Sequence, residues 1–119
     1  MVNLHTDFSS YSNRLQSLEL VAQRIEPWLS AGEKLLVTGD FNARNGSSQL
    51  RILEDSGIVF PEVKGSTFHF DRGFHLFGAI DHIGYSSGIT LQKGPVIVQK
   101  KFNNEWPTDH YPLVVDFSW

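Results

Sequence analysis

The 119-residue sequence contains no cysteine, which excludes disulfide bonds and zinc sites built on thiolates. It also lacks an apolar run long enough to cross a membrane, and no charged segment followed by an apolar one opens the chain, so we expect a cytoplasmic protein without a membrane span. Basic charge is not in excess, because ten Lys and Arg stand against thirteen Asp and Glu for a formal net charge of −3. Without a basic surface, chemistry on a phosphate group requires a cation.

The sequence does contain enough apolar material for a folded core. Hydrophobic residues make up 40% of the chain and aromatic residues 13%, which is typical of a globular protein. No repeat, linker or low-complexity segment divides it. We therefore expect residues 1–119 to belong to a single domain.

Periodicity predicts a mixture of helices and short strands. Apolar residues recur at helical spacing between Ser12, a plausible N-cap, and Gly32, with a kink expected at Pro27. A second, shorter helix is predicted over residues 49–54. Alternating, β-branched or aromatic residues predict strands over residues 2–8, 35–37, 66–70, 78–86, 89–102 and 112–119, with an interruption of the fifth at Gly94-Pro95.

The stretch TGDFN places Asp40 and Asn42 two residues apart, just after a buried strand. If strand geometry continues, both side chains lie on one face while Phe41 points into the core. A carboxylate and an amide would then converge on a ligand. A simple polar turn explains the same residues equally well, since Gly, Asp and Asn are common in turns.

The stretch AIDHIGY places Asp81 and His82 on opposite faces of a predicted strand, so one of them faces the core or a cleft. An inward Asp81 requires a cation or a histidine partner, because burying an unpaired carboxylate is costly. The alternative is that Asp81 is solvated on an exposed face.

The stretch WPTDHYP offers a histidine for that pair. A carboxylate fixes the tautomer of a histidine and stabilises its charged form, as in many hydrolytic sites, so Asp81 and His110 are candidates for such a pair. Asp109, on the loop before the last strand, would be free to bind a hard cation. The alternative for His110 is an ordinary surface histidine.

The polar face of the first predicted strand, which is either functional or solvated, consists of Asn3, His5 and Asp7.

Several of these motifs occur in an order that resembles a known family. The segments VNLHTD, VTGDFNA, STFHF, AIDHI and WPTDHYPLVV, with Arg14 on the helix after the first, resemble the C-terminal half of the endonuclease/exonuclease/phosphatase superfamily, which has the DNase I-like fold. The resemblance covers almost the whole chain. It implies an α+β fold in which two mixed β-sheets form a sandwich with outer helices, and an active site at one end of the sandwich.

The resemblance also implies an activity, the metal-dependent hydrolysis of a phosphodiester or phosphomonoester by an activated water. Asp40 would orient or deprotonate the water, and Asn42 would bind the phosphate. Such a reaction depends mainly on positioning the water and neutralising charge, which a divalent ion and fixed donors accomplish. The implied ion is Mg²⁺, with Mn²⁺ as a second choice.

The remaining roles follow from the same resemblance. Asp81 would orient His110, and His110 would stabilise the charge on the scissile phosphoryl group. Asp109 would lie at the metal. His5 matches the histidine of the family's NTHLDH-like strand, placed near the phosphate or the leaving group, although NLHTDF exchanges the Thr and Leu around it and has Phe8 where a second His is common.

Family members carry, ahead of the matched region, an N-terminal half with an Asn and a metal-binding Glu, whereas this sequence starts at the strand that holds His5. We therefore expect a partial domain that associates with itself or with a missing N-terminal half. The implied substrate is a phosphate ester in a nucleic acid, a phospholipid or a small molecule. The alternative is a catalytically silent scaffold, or an assembly and binding domain that keeps the fold.

Overall fold

A computed structural model describes residues 1–5, 10–68, 78–99, 101 and 109–119 of the chain. The elements are, in order, β1 (Val2–His5), α1 (Tyr11–Ser30), β2 (Leu36–Asp40), α2 (Ser48–Glu54), β3 (Asp81–Tyr85), β4 (Thr90–Ile97) and β5 (Leu113–Ser118). This mixture of helices and strands confirms the predicted α+β class. No helix among the described residues is both long enough and apolar enough to cross a bilayer.

The strands of the described residues form two sheets. In the first sheet β2 lies in the middle, parallel to β1 and antiparallel to β3. In the second sheet β4 and β5 pair in antiparallel fashion, with register shifts on either side of Lys93. The two sheets meet where the ring of Tyr85 on β3 contacts that of Phe117 on β5, with centroids 5.3 Å apart.

Both helices begin at a serine cap. Ser10 caps α1, and its Oγ accepts a hydrogen bond from the backbone N–H of Asn13 at 3.2 Å. The predicted cap, Ser12, is wrong, because Ser12 already lies in the first turn of the helix. Ser47 caps α2 in the same way by accepting from the N–H of Leu50. An N-cap hydroxyl of this kind stabilises a helix by about 1 kcal/mol, since it satisfies a backbone donor that has no partner within the helix.

The main core lies between the two helices and one face of the first sheet. Val37 on β2 points to this side and is fully buried, and Val2 and Leu4 of β1 pack beside it. Residues alternate between the two faces of a strand, so the neighbours of Val37 point away from the helices. The core on the helix side comprises Leu18, Ile25, Leu35, Val37, Phe41, Ala43, Leu50, Leu53, Ile58 and Phe60.

Three predicted strands differ from the observed ones. The strand predicted at 35–37 extends to Asp40, so Asp40 is the last residue of β2 instead of part of a turn. The strand predicted over 66–70 is irregular where it is described, with one isolated bridge between Phe68 and His110. β4 continues through Gly94-Pro95, where an interruption was expected. The predicted strand positions 6–8, which include Asp7, and 69–70, 100 and 102 lie outside the described residues.

Candidate active site

A cavity of about 530 Å³ opens at the edge of the first sheet where β1 and β2 end and β3 begins. The parallel and antiparallel pairings bring these three strand ends to the same edge. The motifs that hold His5, Asp40 and Asp81 are therefore on neighbouring strands. The cavity is lined by Asn3, Leu4, His5, Gly39, Asp40, Asp81 and His110.

The strand register sets three of these side chains in a row. His5 is the cross-strand partner of Asp40, and Asp40 is the cross-strand partner of Asp81. Two carboxylates directly opposite each other repel, which destabilises the sheet unless a positive charge lies nearby. The cavity edge therefore has a concentration of negative charge that a cation or a protonated histidine would compensate.

The backbone that follows β2 holds the side chain of Asp40. Its Oδ1 accepts a hydrogen bond of 3.0 Å from the backbone N–H of Asn42, whose φ of 47° ends the strand geometry. The other oxygen, Oδ2, lies 3.4 Å from Nε2 of His5 and 3.6 Å from Nε2 of His110. Oδ2 therefore faces the two imidazoles at distances longer than those of strong hydrogen bonds, too short for another group to lie between them.

The pKa of Asp40 is raised above its ordinary value. Burial is the main cause, and the negative charge of Asp81 acts in the same direction, while the hydrogen bond from Asn42 and the charges of His110 and His5 oppose it. A carboxylate with a raised pKa is a better proton acceptor, so Asp40 is suited to receive a proton from a water molecule.

His110 and Asp81 form the predicted pair. Nδ1 of His110 lies 2.6 Å from Oδ2 of Asp81, and both side chains are partly buried, 27% and 21% exposed. A carboxylate accepts hydrogen bonds, so this contact assigns the proton to Nδ1 and turns Nε2 toward Asp40. Burial lowers the pKa of His110, but the hydrogen bond and charge of Asp81, with the charges of Asp40 and Asp109, outweigh it and raise the pKa overall.

His82 faces the core, on the opposite side of β3 from Asp81, and is only 1% exposed. Its Nε2 lies 2.6 Å from the carbonyl oxygen of Ala43, so it ties β3 to the turn that follows Asp40. Burial lowers the pKa of His82 more than the carbonyl of Ala43 and the nearby carboxylates raise it. Asp81 is therefore the member of the Asp81-His82 pair that faces the cavity, and His82 is a neutral residue of the core.

Three residues in the described part of the chain form a group that could hold a metal ion. One ligand atom from each of Asp40, Asp81 and His110 lies within 4.8 Å of the others. Asp109, predicted as the metal ligand, is outside this group, although its charge contributes to the raised pKa of His110. Asn42 is outside the cavity lining. The assignments of Asp109 to the metal and of Asn42 to the phosphate stay predictions.

Two polar residues near the site had no role in the sequence-based assignment. Asn3 lines the cavity, and its Oδ1 accepts a hydrogen bond of 3.3 Å from the hydroxyl of Thr38 on β2. Its position on the same strand face as His5 was the available signal. Thr67 is fully buried, and its hydroxyl accepts a hydrogen bond from the N–H of Asp81; it lies in STFHF, a segment that carried the family resemblance but was given no role.

The sequence matches the Endonuclease/Exonuclease/phosphatase family over residues 3–110. The chain belongs to this family, and its fold is that of a hydrolase. A search of curated proteins gives no significant match.

Solved structures share the fold. The chain is similar to the mannosyl-6-phosphatase of Bacteroides thetaiotaomicron, with a TM-score of 0.75 and 22% identity over 98% of this chain and 50% of that one. A Bacteroides vulgatus endonuclease/exonuclease/phosphatase gives a TM-score of 0.78 and 22% identity over 96% and 47%. The catalytic domain of human Nocturnin with a bound sulfate anion gives 0.67 and 22% over 98% and 44%. The chain thus spans about half the length of these proteins.

Proposed function

We propose that the chain carries one part of the active site of a divalent-metal-dependent phosphoesterase. The observation that carries this proposal is the arrangement of Asp40, Asp81 and His110: the imidazole is bound by one carboxylate at 2.6 Å and faces the other at 3.6 Å. A structural role in the core does not require two opposed carboxylates and a histidine at the edge of a cavity. Family membership supports the same chemistry.

In this proposal the side chains act together in the attack of water on phosphorus, which forms a bond to the water oxygen while the bond from phosphorus to the ester oxygen breaks. Asp40 accepts a proton from the attacking water through Oδ2, for which its raised pKa is suited. His110 donates a hydrogen bond from Nε2 to a phosphoryl oxygen and stabilises the negative charge that develops there. Asp81 keeps Nδ1 protonated and the ring in position. His5, 75% exposed at the mouth of the cavity, contacts the phosphate or the leaving group.

The donor set fits a hard divalent cation. Asp40 and Asp81 present carboxylate oxygens, the atoms that Mg²⁺ and Mn²⁺ prefer, and their mutual repulsion favours a cation between or beside them. Because Oδ2 of Asp81 is already bound by Nδ1 of His110, we propose Asp40 and Asp109 as the protein ligands of the cation, with Asn42 binding the phosphate. The chemistry that such a cation supplies is neutralisation of charge on the phosphate oxygens.

We further propose that a second polypeptide segment completes the site. The chain spans only about half the length of the similar solved structures. On the cavity side of the first sheet, the apolar side chains of Leu36 and Ile83 stay half-buried, so this face can still bury apolar surface. The segment is either a further half of the same fold or a second copy of this chain. Residues 1–119 are then one partial domain.

The substrate class is a phosphate ester. The similar solved structures include a phosphatase and a domain with a bound sulfate, a tetrahedral anion like phosphate, which favours a site for a phosphate group. The lack of a basic surface in the sequence favours a small phosphate ester over a long nucleic acid.

The test compares the 119-residue chain alone with the chain joined to the N-terminal half of a family member. We expect no or very slow hydrolysis of p-nitrophenyl phosphate and bis(p-nitrophenyl) phosphate by the chain alone, and Mg²⁺-dependent hydrolysis by the joined form that EDTA abolishes. In the joined form, His110→Ala and Asp40→Ala each lower the rate by about 100-fold or more. An ordinary rate for the chain alone that His110→Ala leaves unchanged contradicts both the proposed site and the need for completion.

A catalytically silent domain is the second candidate. The chain covers only about half of the similar solved structures, and this favours a silent domain. Half of the fold is enough for a scaffold, but it leaves an active site incomplete. Mn²⁺ binding separates the two candidates. If the chain is part of a phosphoesterase, it binds Mn²⁺, and Asp40→Asn weakens this binding. If the chain is a silent domain, it binds no Mn²⁺ and shows no activity when it is joined to an N-terminal half.

A further inference from the structure

Thr67 lies at the junction of the two segments that carry Asp81 and His110. It is fully buried, between the end of the α2 region and the part of the chain that leads to β3. Its hydroxyl oxygen accepts two backbone hydrogen bonds, one from Ile80 at 3.0 Å and one from Asp81 at 3.1 Å. A single side-chain atom thus holds the backbone on which the carboxylate of Asp81 is mounted.

The backbone of Thr67 holds the histidine as well. Its carbonyl oxygen accepts a hydrogen bond of 2.7 Å from the N–H of Tyr111, the residue directly after His110. The next residue, Phe68, forms an isolated β-bridge with His110, and the two rings are in edge contact with centroids 5.1 Å apart. Ser66, also buried, donates from its hydroxyl to the carbonyl of Phe68 and fixes this segment.

We propose that Thr67 is a positioning residue that sets the separation of Asp81 and His110 by binding the backbone beside both of them. The carboxylate of Asp81 and the imidazole of His110 come from segments 29 residues apart, so their 2.6 Å contact depends on the tertiary contacts that hold the two segments together. A threonine is suited to this task because its hydroxyl has two acceptor lone pairs while its carbonyl accepts independently. The catalytic importance of the Asp81-His110 contact rests on the proposed function, whereas the role of Thr67 in holding that contact does not.

A hydroxyl at the other end of β3 provides a matched control. Ser86, 2% exposed, follows β3 directly, and its Oγ accepts from the backbone N–H of Leu35 at 2.7 Å. Removing either hydroxyl leaves buried backbone donors without a partner, at a cost of about 1–3 kcal/mol each. Loss of stability is therefore expected for both sites, and only an effect on His110 separates positioning from general support of the fold.

The test compares Thr67→Val, Thr67→Ser and Ser86→Ala by NMR of the histidine ring nitrogens and protons at one fixed pH. In the unchanged protein, we expect a downfield Nδ1–H resonance from His110 in its hydrogen bond to Asp81. Thr67→Val should lose it, while Thr67→Ser, which keeps the hydroxyl, and Ser86→Ala should retain it. Retention of the resonance in Thr67→Val overturns the proposal. The NMR measurement requires no catalytic turnover. The positioning role of Thr67 can therefore be supported even if the proposed phosphoesterase activity is absent, and it can fail even if that activity is present.

Native-state hydrogen exchange decides the case in which Thr67→Val does not fold. In the unchanged protein, the amides of Ile80, Asp81 and Tyr111 share one residue as acceptor. Protection of all three to a similar degree supports the proposal. Exchange of the Ile80 and Asp81 amides more than about ten-fold faster than that of Tyr111 overturns it, because the hydroxyl then does not hold the strand start.

Discussion

Nδ1 of His110 lies 2.6 Å from Oδ2 of Asp81, and this contact joins the start of β3 to the segment that leads into β5. It links the two sheets at the same edge at which the cavity opens. The negative charge of Asp81 is therefore coupled to the protonation of a ring that also faces Asp40. A substitution of Asp81 should therefore change the pKa of His110 more than that of any other group.

Replacement of Asp81 by Asn should lower the pKa of His110. The hydrogen bond and charge of Asp81 are the main influences that raise this pKa, and without them burial, which lowers it, becomes dominant. The measurement is an NMR titration of the His110 ring protons. In the joined, active form we also expect a rate loss of about 10²–10⁴-fold, as for other carboxylates that orient a histidine.

Asp116→Asn is the matched control for this change. Asp116 lies on the exposed face of β5, so the substitution removes one negative charge from the same protein without touching the cavity. It should leave the His110 titration unchanged. A His110 pKa that stays raised in Asp81→Asn, or that falls equally in both variants, shows that the 2.6 Å contact does not govern the histidine.

Replacement of Asp40 by Asn should stabilise the fold while weakening the binding of Mn²⁺. The pKa of Asp40 is raised, so the folded state disfavours its ionised form, and the ionised carboxylate costs stability above that pKa. Asn removes this cost and can still accept the N–H of Asn42 through Oδ1. Urea unfolding at pH 7.5 and at pH 4 should show a gain that shrinks toward the acid side. A variant less stable than the parent at pH 7.5 contradicts the expectation.

The sequence predicted the location of the site better than its details. Strand ends with GDFN, AIDHI and TDHYP were expected at one edge, and the pairing of β2 with β1 and β3 brings Asp40, Asp81 and His5 together there. Alternation along a strand left open whether Asp81 or His82 faced inward. The packing of Phe41 and Phe60 around the His82 ring decides it, and such packing depends on contacts between distant segments.

Contacts that depend on backbone geometry were the part that could not be predicted. TGDFN had two interpretations, a polar turn and part of a site, and each is correct for one residue. Asp40 lines the cavity, whereas Asn42 adopts the left-handed conformation of a turn residue. Thr67 binds backbone groups that lie 13 and 14 residues further along the chain, and nothing in local periodicity signals such a contact. The cytoplasmic location stays a prediction.

Replacement of Gly39 by Ala should disrupt the approach of β1 to β2. A Cβ at this position would clash with the carbonyl oxygen of Leu4, and φ is 149°, a conformation that favours glycine. Gly46→Ala is the control, because φ there is also positive, at 79°, but the added methyl group meets no atom within 4 Å. We expect Gly39→Ala to cost at least about 1–2 kcal/mol more in the free energy of unfolding. Equal losses for the two variants contradict the close approach.

The fold should lose stability as the pH falls below about 6.5, the ordinary pKa of a histidine, because of His82. Burial lowers the pKa of His82 in the folded state, so the unfolded chain takes up a proton before the folded one does. The free energy of unfolding then decreases with falling pH, by at most about 1.4 kcal/mol per pH unit for one proton, until the lowered folded pKa is reached. His110 has the opposite sign, because its raised pKa adds stability that is present below about 6.5 and is lost as the pH rises through the folded value.

Urea unfolding of the parent protein and His82→Gln, each at pH 5.5 and pH 7.5, isolates the contribution of His82, because that of His110 is common to both. The parent should lose more stability on acidification than the variant, since Gln does not titrate. The same measurement on His5→Gln provides the comparison with an exposed histidine, since the side chain of His5 is 75% exposed. If His82→Gln retains the full pH dependence of the parent, the buried imidazole is not the group that makes the fold sensitive to acid.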